Sequence, residues 1–200
     1  LTTEHLNFLY SGCIDFARMY QMSKLEQLLS QYAAYHLDHK NILTHFVGIP
    51  LIVFSIMCLT ARAGFVFSGF QITLALMLIL ISGIYYLKLD IWFGCIMLLL
   101  FSAVYPMALK VAALSLSGWL LTSVGIFVVG WVFQFVGHFY EKKKPAFVDD
   151  LVGLIIGPLF VLAEAMFMLG FRQELQQRIL EQARKQRAVM DSKSVQTSNP

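Results

Sequence analysis

The chain has 200 residues, of which 58% are hydrophobic and only 14% charged, with a mean hydropathy of +0.68. Soluble domains hold roughly 45–50% apolar and about 25% charged residues, so the composition excludes an ordinary soluble fold and points to one that lipid solvates. The net charge of +3 comes with basic residues gathered after Gly170, not interleaved with aromatics. That pattern fits a cytoplasmic tail beside anionic lipid and argues against nucleic-acid binding.

Residues 1–22 read as an N-terminal extension. They lack the basic and apolar regions of a signal peptide, and Met22 stands just before Ser23 and Glu26, which have the spacing of a capping box. From 24 to 36, Leu25, Leu28, Leu29, Tyr32 and Tyr35 recur at three- and four-residue steps. This predicts an amphipathic helix at the membrane surface, leading into His36. Asn41 is expected to cap a helix from Ile42 to about Thr60, kinked at Pro50. Phe65–Leu87, Ile91–Leu109 and Leu116–His138 read as three more helices, each able to cross a ~30 Å hydrocarbon layer. Only Lys88-Leu89-Asp90 separates the second run from the third, which makes those two an antiparallel hairpin. A fifth run, Leu151–Phe171, holds Gly153, Gly157-Pro158 and Glu164, and is expected to be a broken span or a re-entrant helix. Residues 172–188 predict a polar helix with Glu174–Arg178 and Glu181–Lys185 pairs, and 190–200 are expected to be disordered.

The fold class is therefore all-α: a polytopic membrane helix bundle of four full spans plus a broken or re-entrant fifth apolar helix. Residues 23–172 form the membrane domain and 173–200 a basic helical tail. With Lys24 and Lys40 inside, four spans return the chain inside at Lys142–Lys144, and a re-entrant fifth helix keeps the tail there. Lys142–Lys144 reads as a topology anchor, and Trp92, Trp119 and Trp131 as packing or interfacial anchors. Cys13, Cys58 and Cys95 are far apart and read as small buried hydrophobes.

An even span count also gathers histidines. His36, His39, His45 and His138 fall on one membrane face, with Asp38, Glu141, Asp149 and Asp150. Ionisable residues at membrane depth are functional candidates, and three or four imidazoles suit iron, zinc or copper. Glu164, a carboxylate in an apolar run, is expected to face the bundle and meet a histidine or backbone donors.

Three segments carry a family resemblance. The first is Tyr32-Ala-Ala-Tyr35-His36-Leu-Asp-His-Lys-Asn41-Ile-Leu-Thr-His45, followed by Gly48-Ile-Pro50. The second runs from Gly130 through Gln134 and His138-Phe-Tyr-Glu141 to Pro145-Ala146. The third is Asp150 through Gly157-Pro158 to Glu164. Over roughly residues 24–172 the chain resembles the metal-dependent 2-hydroxy fatty acid dioxygenases, a family of multi-pass membrane proteins. The resemblance implies an Fe2+ enzyme that uses O2 to shorten a 2-hydroxy fatty acid by one carbon, as in fatty acid α-oxidation. It implies His36, His45 and His138 as metal ligands, with His39 or Glu141 as a possible fourth; the family has proline where His39 stands. Asn41, Gln134 and Glu141 fall on motif positions and would orient ligands or substrate. Lys40 and Lys142 would attract the carboxylate, and Glu164 and Asp149 would support the ligands from behind. The expected membrane is that of the endoplasmic reticulum in a eukaryote or the inner membrane in a bacterium, with the histidines on the cytoplasmic side. Two other readings stay open from the residues alone: a non-enzymatic membrane transporter or scaffold, and a bis-histidine haem protein.

Overall fold

The computed structural model describes residues 22–143 and 152–198. Asp149, Asp150, Lys144, Cys13 and residues 1–21 lie outside that description.

Helix α1 spans Lys24–Ala33. Its start is the capping box: the Ser23 hydroxyl accepts from the Glu26 amide at 3.2 Å, and the Glu26 carboxylate accepts from the Ser23 amide at 2.8 Å. Satisfying two orphan amides at once fixes where the helix begins. Its apolar face, Leu25, Leu28, Leu29 and Tyr32, is buried against protein. The partners are the last two helices, α6 (Val152–Met168) and α7 (Gln173–Ser198).

Helix α2 covers His39–Ala61. Its cap is Asp38, whose carboxylate accepts from the Lys40 amide at 2.7 Å. The expected cap, Asn41, sits instead in the first turn, fully buried. Asp38 wins because it holds the extended conformation that a capping residue needs.

The second apolar run differs most from expectation. It opens as a β-hairpin, β1 (Gly64–Phe67) and β2 (Phe70–Thr73), which the all-α reading did not contain. Ser68 and Gly69 form its two-residue loop, both at positive φ (49° and 83°). That is the type I′ geometry that matches strand twist. The Ser68-Gly69 pair carried this signal, which the continuous hydropathy around it hid. Helix α3 therefore starts only at Leu74, capped by the Thr73 hydroxyl, and ends at Leu89. Asp90 ends α3 and caps α4 (Ile91–Ala112), accepting from the Trp92 and Phe93 amides. The two helices pack as the expected hairpin. Helix α5 covers Leu116–Glu141.

Among the described residues three helices, α2, α4 and α5, are long and apolar enough to cross a membrane; α3 and α6 are apolar but 16 and 17 residues long there. Large apolar side chains such as Leu121, Leu99 and Ile81 point outward, as lipid-facing residues do. Helix α6 runs unbroken through Pro158. The tail helix runs from Gln173 to Ser198. Glu181 pairs with Lys185 at 3.3 Å, but Arg178 reaches across to Glu26 at 2.7 Å. Cys58 is buried; Cys95, contrary to expectation, is exposed on the outside of α4.

The closest packing in the bundle is between α2 and α5. A Cβ on Gly48 would stand 2.8 Å from the Gly130 carbonyl oxygen, and one on Gly130 would stand 2.9 Å from that of Gly48. Only glycines let two backbones meet this way. Their contact draws the start of α2 and the end of α5 together, and with them His45 and His138.

Candidate metal centre

His36 follows the end of α1. The Tyr35 and His36 amides bond back to the Tyr32 and Ala33 carbonyls, closing the helix with a turn that aims the imidazole inward. The ring stacks on Tyr32 (centroids 4.2 Å apart, planes at 7°) and is only 2% exposed. His45 lies in the second turn of α2 and is fully buried. His138 is close to the end of α5.

The three rings meet. Their centroids are 4.5 Å (His36–His45), 5.0 Å (His36–His138) and 5.2 Å (His45–His138) apart. Among the described residues they form a group offering one ligand nitrogen each, all within 4.8 Å of one another. Nδ1 of His36 is 2.7 Å from the Tyr32 carbonyl, and Nδ1 of His45 is 2.9 Å from that of Asn41. A carbonyl only accepts, so each Nδ1 carries the proton and each Nε2 keeps a free lone pair. Those two Nε2 atoms and Nδ1 of His138 are buried without a partner. Each unmet buried polar atom costs about 1–3 kcal/mol, and three in one place mark a missing common partner. Burial first, then the His45 ring, holds the His36 imidazole well below its ordinary pKa, despite the Tyr32 carbonyl. A neutral imidazole is what a metal requires. The cluster therefore fits a transition-metal cation that accepts imidazole nitrogen.

A second layer holds the rings. One turn beyond His138, Glu141 is buried with both oxygens engaged. Its Oε2 accepts from the Asp38 amide (2.8 Å) and Asn41 Nδ2 (3.2 Å). Its Oε1 accepts from Arg187 of α7 at 2.8 Å. The same guanidinium donates to the Ala34 carbonyl (2.8 Å) and the Glu141 carbonyl (3.4 Å). The end of α1, the start of α2 and the end of α5 are thus tied through one carboxylate and one arginine. Asn41 adds a link, since its carbonyl orients His45. Gly137 leaves room for this; a Cβ there would collide with Thr44 Oγ1 and Asn41 Oδ1.

The remaining candidates are placed as follows. Gln134, one turn before His138, is buried with Nε2 unpartnered. His39 is exposed at the first residue of α2 and is not one of the three clustered rings. Lys40 is exposed, its ammonium 5.1 Å from the Tyr140 ring centroid. Lys142 is exposed in the left-handed conformation that ends α5. Glu164 is buried on α6, outside the three-histidine group. Arg187 had no signal of its own in the sequence, since its partner lies 46 residues away.

Fold and site together define a membrane helix bundle with a buried three-imidazole cluster at one end. The family model for 2-hydroxy-palmitic acid dioxygenase Mpo1-like proteins matches residues 22–169, and the chain belongs to this family. It is 34% identical over 156 residues to the 2-hydroxy-palmitic acid dioxygenase MPO1 of Saccharomyces cerevisiae, an alignment covering 76% of this chain and 84% of that one. No solved structure matches the chain.

Proposed function

We propose that the protein is an iron-dependent dioxygenase that converts a 2-hydroxy fatty acid and O2 into an acid one carbon shorter, CO2 and water. The observation that carries this reading is the set of three buried imidazole nitrogens left without partners, in a chain related to a dioxygenase of 2-hydroxy-palmitic acid. His36, His45 and His138 would hold the iron. When bound, Fe2+ supplies open positions for the two oxygens of a 2-hydroxy carboxylate and the redox capacity that lets O2 cleave the C1–C2 bond. Tyr32 and Asn41 hold the His36 and His45 protons on Nδ1 through their carbonyls. Glu141 and Arg187 keep the three helix ends in register. Water is excluded by burial, with His36 and His45 at 2% and 0% exposure. Lys40 and Lys142, exposed beside the site, would draw the anionic substrate toward it. The rings lean edge to face on one another, which suits a single ion and not a haem plane between two imidazoles.

Lys24, Lys40, Lys88, Lys142, Arg178 and Arg187 stand at helix ends or contacts on the histidine side, whereas Arg62 and Lys110 stand at the opposite ends of α2 and α4. Positive charge favours the cytoplasmic side, so the centre faces the cytoplasm, in the endoplasmic reticulum membrane or the bacterial inner membrane.

The test is metal analysis of detergent-purified protein, paired with oxygen uptake on 2-hydroxypalmitic acid. The expected result is about one iron per chain and uptake that a chelator abolishes, with His45→Ala losing both. Full activity in metal-free protein, or no uptake by the iron-loaded protein, overturns the proposal.

A further inference from the structure

Three apolar cavities open between the helices among the described residues. Two, of about 330 and 410 Å3, have no histidine in their lining. The third, about 200 Å3, differs because His138 and Gln134 line it. From there it follows one face of α5, through Trp131 to Phe127, in steps of four, three and four residues. Helix α2 supplies the facing wall from Ile49 to Ile56, and Gly157 of α6 gives it depth. A larger residue at Gly157 would press on Tyr32 and Ile49, whose atoms lie 3.1 Å from a Cβ there.

Size and chemistry select the occupant. From His138 to Phe127 the α5 face measures about 16 Å at a rise of 1.5 Å per residue. That is about half of a ~30 Å hydrocarbon layer, the depth one long acyl chain fills in a leaflet. At the histidine end, Gln134 Nε2 is a buried donor without an acceptor, in a residue only 6% exposed. A carboxylate or hydroxyl oxygen would supply the acceptor it lacks. Elsewhere the lining is almost wholly apolar. A molecule with an oxygen-rich head and one straight apolar tail meets both requirements.

We propose that this groove is the acyl-chain site of the 2-hydroxy fatty acid, that Gln134 donates to its head group, and that Phe127 and Ile56 at the far end limit chain length. The proposal rests on the dioxygenase reading for the identity of the head, and its test separates the two.

The test uses the full chain in lipid nanodiscs with Trp92→Phe and Trp119→Phe, leaving Trp131 as the sole indole. 2-Hydroxypalmitic acid brominated at mid-chain is titrated in. Saturable quenching of Trp131, reversed by unbrominated 2-hydroxypalmitic acid and less well by palmitic acid, is expected. Gln134→Leu should remove that preference. Chain-length profiles of kcat/KM form the second arm. Phe127→Ala should favour longer chains and Ile56→Trp shorter ones, by about fourfold per methylene gained or lost. Quenching that no acid reverses overturns the groove, as does a profile unmoved by both variants. Saturable quenching in a protein that consumes no O2 would support the groove and sink the dioxygenase reading.

Discussion

The two ends of the bundle join their helices by different means. At the end away from the histidines, Arg62 closes α2 by donating to the Leu114 carbonyl at 3.0 Å while lying 4.8 Å from the Trp119 ring centroid. Trp119 donates to the Cys58 carbonyl at 2.8 Å, and Thr73 shares a hydrogen bond with Tyr105. These are neutral acceptors at a half-exposed rim, with an apolar cluster of Met57, Cys58, Ile79 and Ala108 beneath them. The histidine end instead buries a carboxylate and three imidazoles, with a half-buried arginine on the carboxylate. There Asn41 Oδ1 and Gln134 Nε2 join the three imidazole nitrogens as buried atoms without partners. Away from the histidines the unmet buried atoms are the hydroxyls of Ser55 and Ser123. The histidine end concentrates imidazole and amide atoms, and such departures from local consistency are expected where function resides.

If that contrast is right, the largest effect should come from Arg187→Ala. It leaves the Glu141 carboxylate buried and uncompensated, a loss of about 3–5 kcal/mol. A lowered unfolding midpoint and faster metal loss to chelator would register it, and Glu141→Gln in the same chain should recover part of the midpoint. An unchanged midpoint in Arg187→Ala would show that the carboxylate–arginine tie does not hold the helix ends.

Two glycines on α5 give a closer comparison. Gly137→Ala forces a methyl against Thr44 and Asn41, and should cost about 1–3 kcal/mol with reduced metal retention. Gly125→Ala meets nothing within 4 Å; it should leave metal binding alone and add up to about 1 kcal/mol of helix stability. Equal losses from both would erase the difference between the ends.

The smallest effect concerns the α1–α7 contact that backs the site. Burial raises the Glu26 pKa, but the Ser23 amide and Arg178 outweigh it, leaving the carboxyl below its usual value of 4.5. Its stabilisation is therefore complete above that value and is lost as pH falls through the depressed pKa. The Arg178 side chain is 55% exposed, so the contact should contribute no more than about 1 kcal/mol. An acid melting limb that Glu26→Gln flattens is the expected readout.

The sequence by itself determined the membrane class, the capping box at Ser23, the long apolar runs, the α3–α4 hairpin and the histidine set. Each is written in composition or in local spacing, where hydropathy and 3.6-residue periodicity act. The hairpin at Ser68-Gly69 was also legible locally, but its four-residue strands were masked by continuous hydrophobicity. The family resemblance had singled out His36, His45 and His138, but only the tertiary structure shows how their three rings converge. His36 and His39 are three residues apart, yet one turns inward after α1 and the other stays outside at the start of α2. The closure of Glu141 by Arg187 was equally out of reach of local reading. Its energy comes from pairing a buried carboxylate with a half-buried guanidinium across three helix ends, and nothing about either residue's neighbours along the chain records that contact.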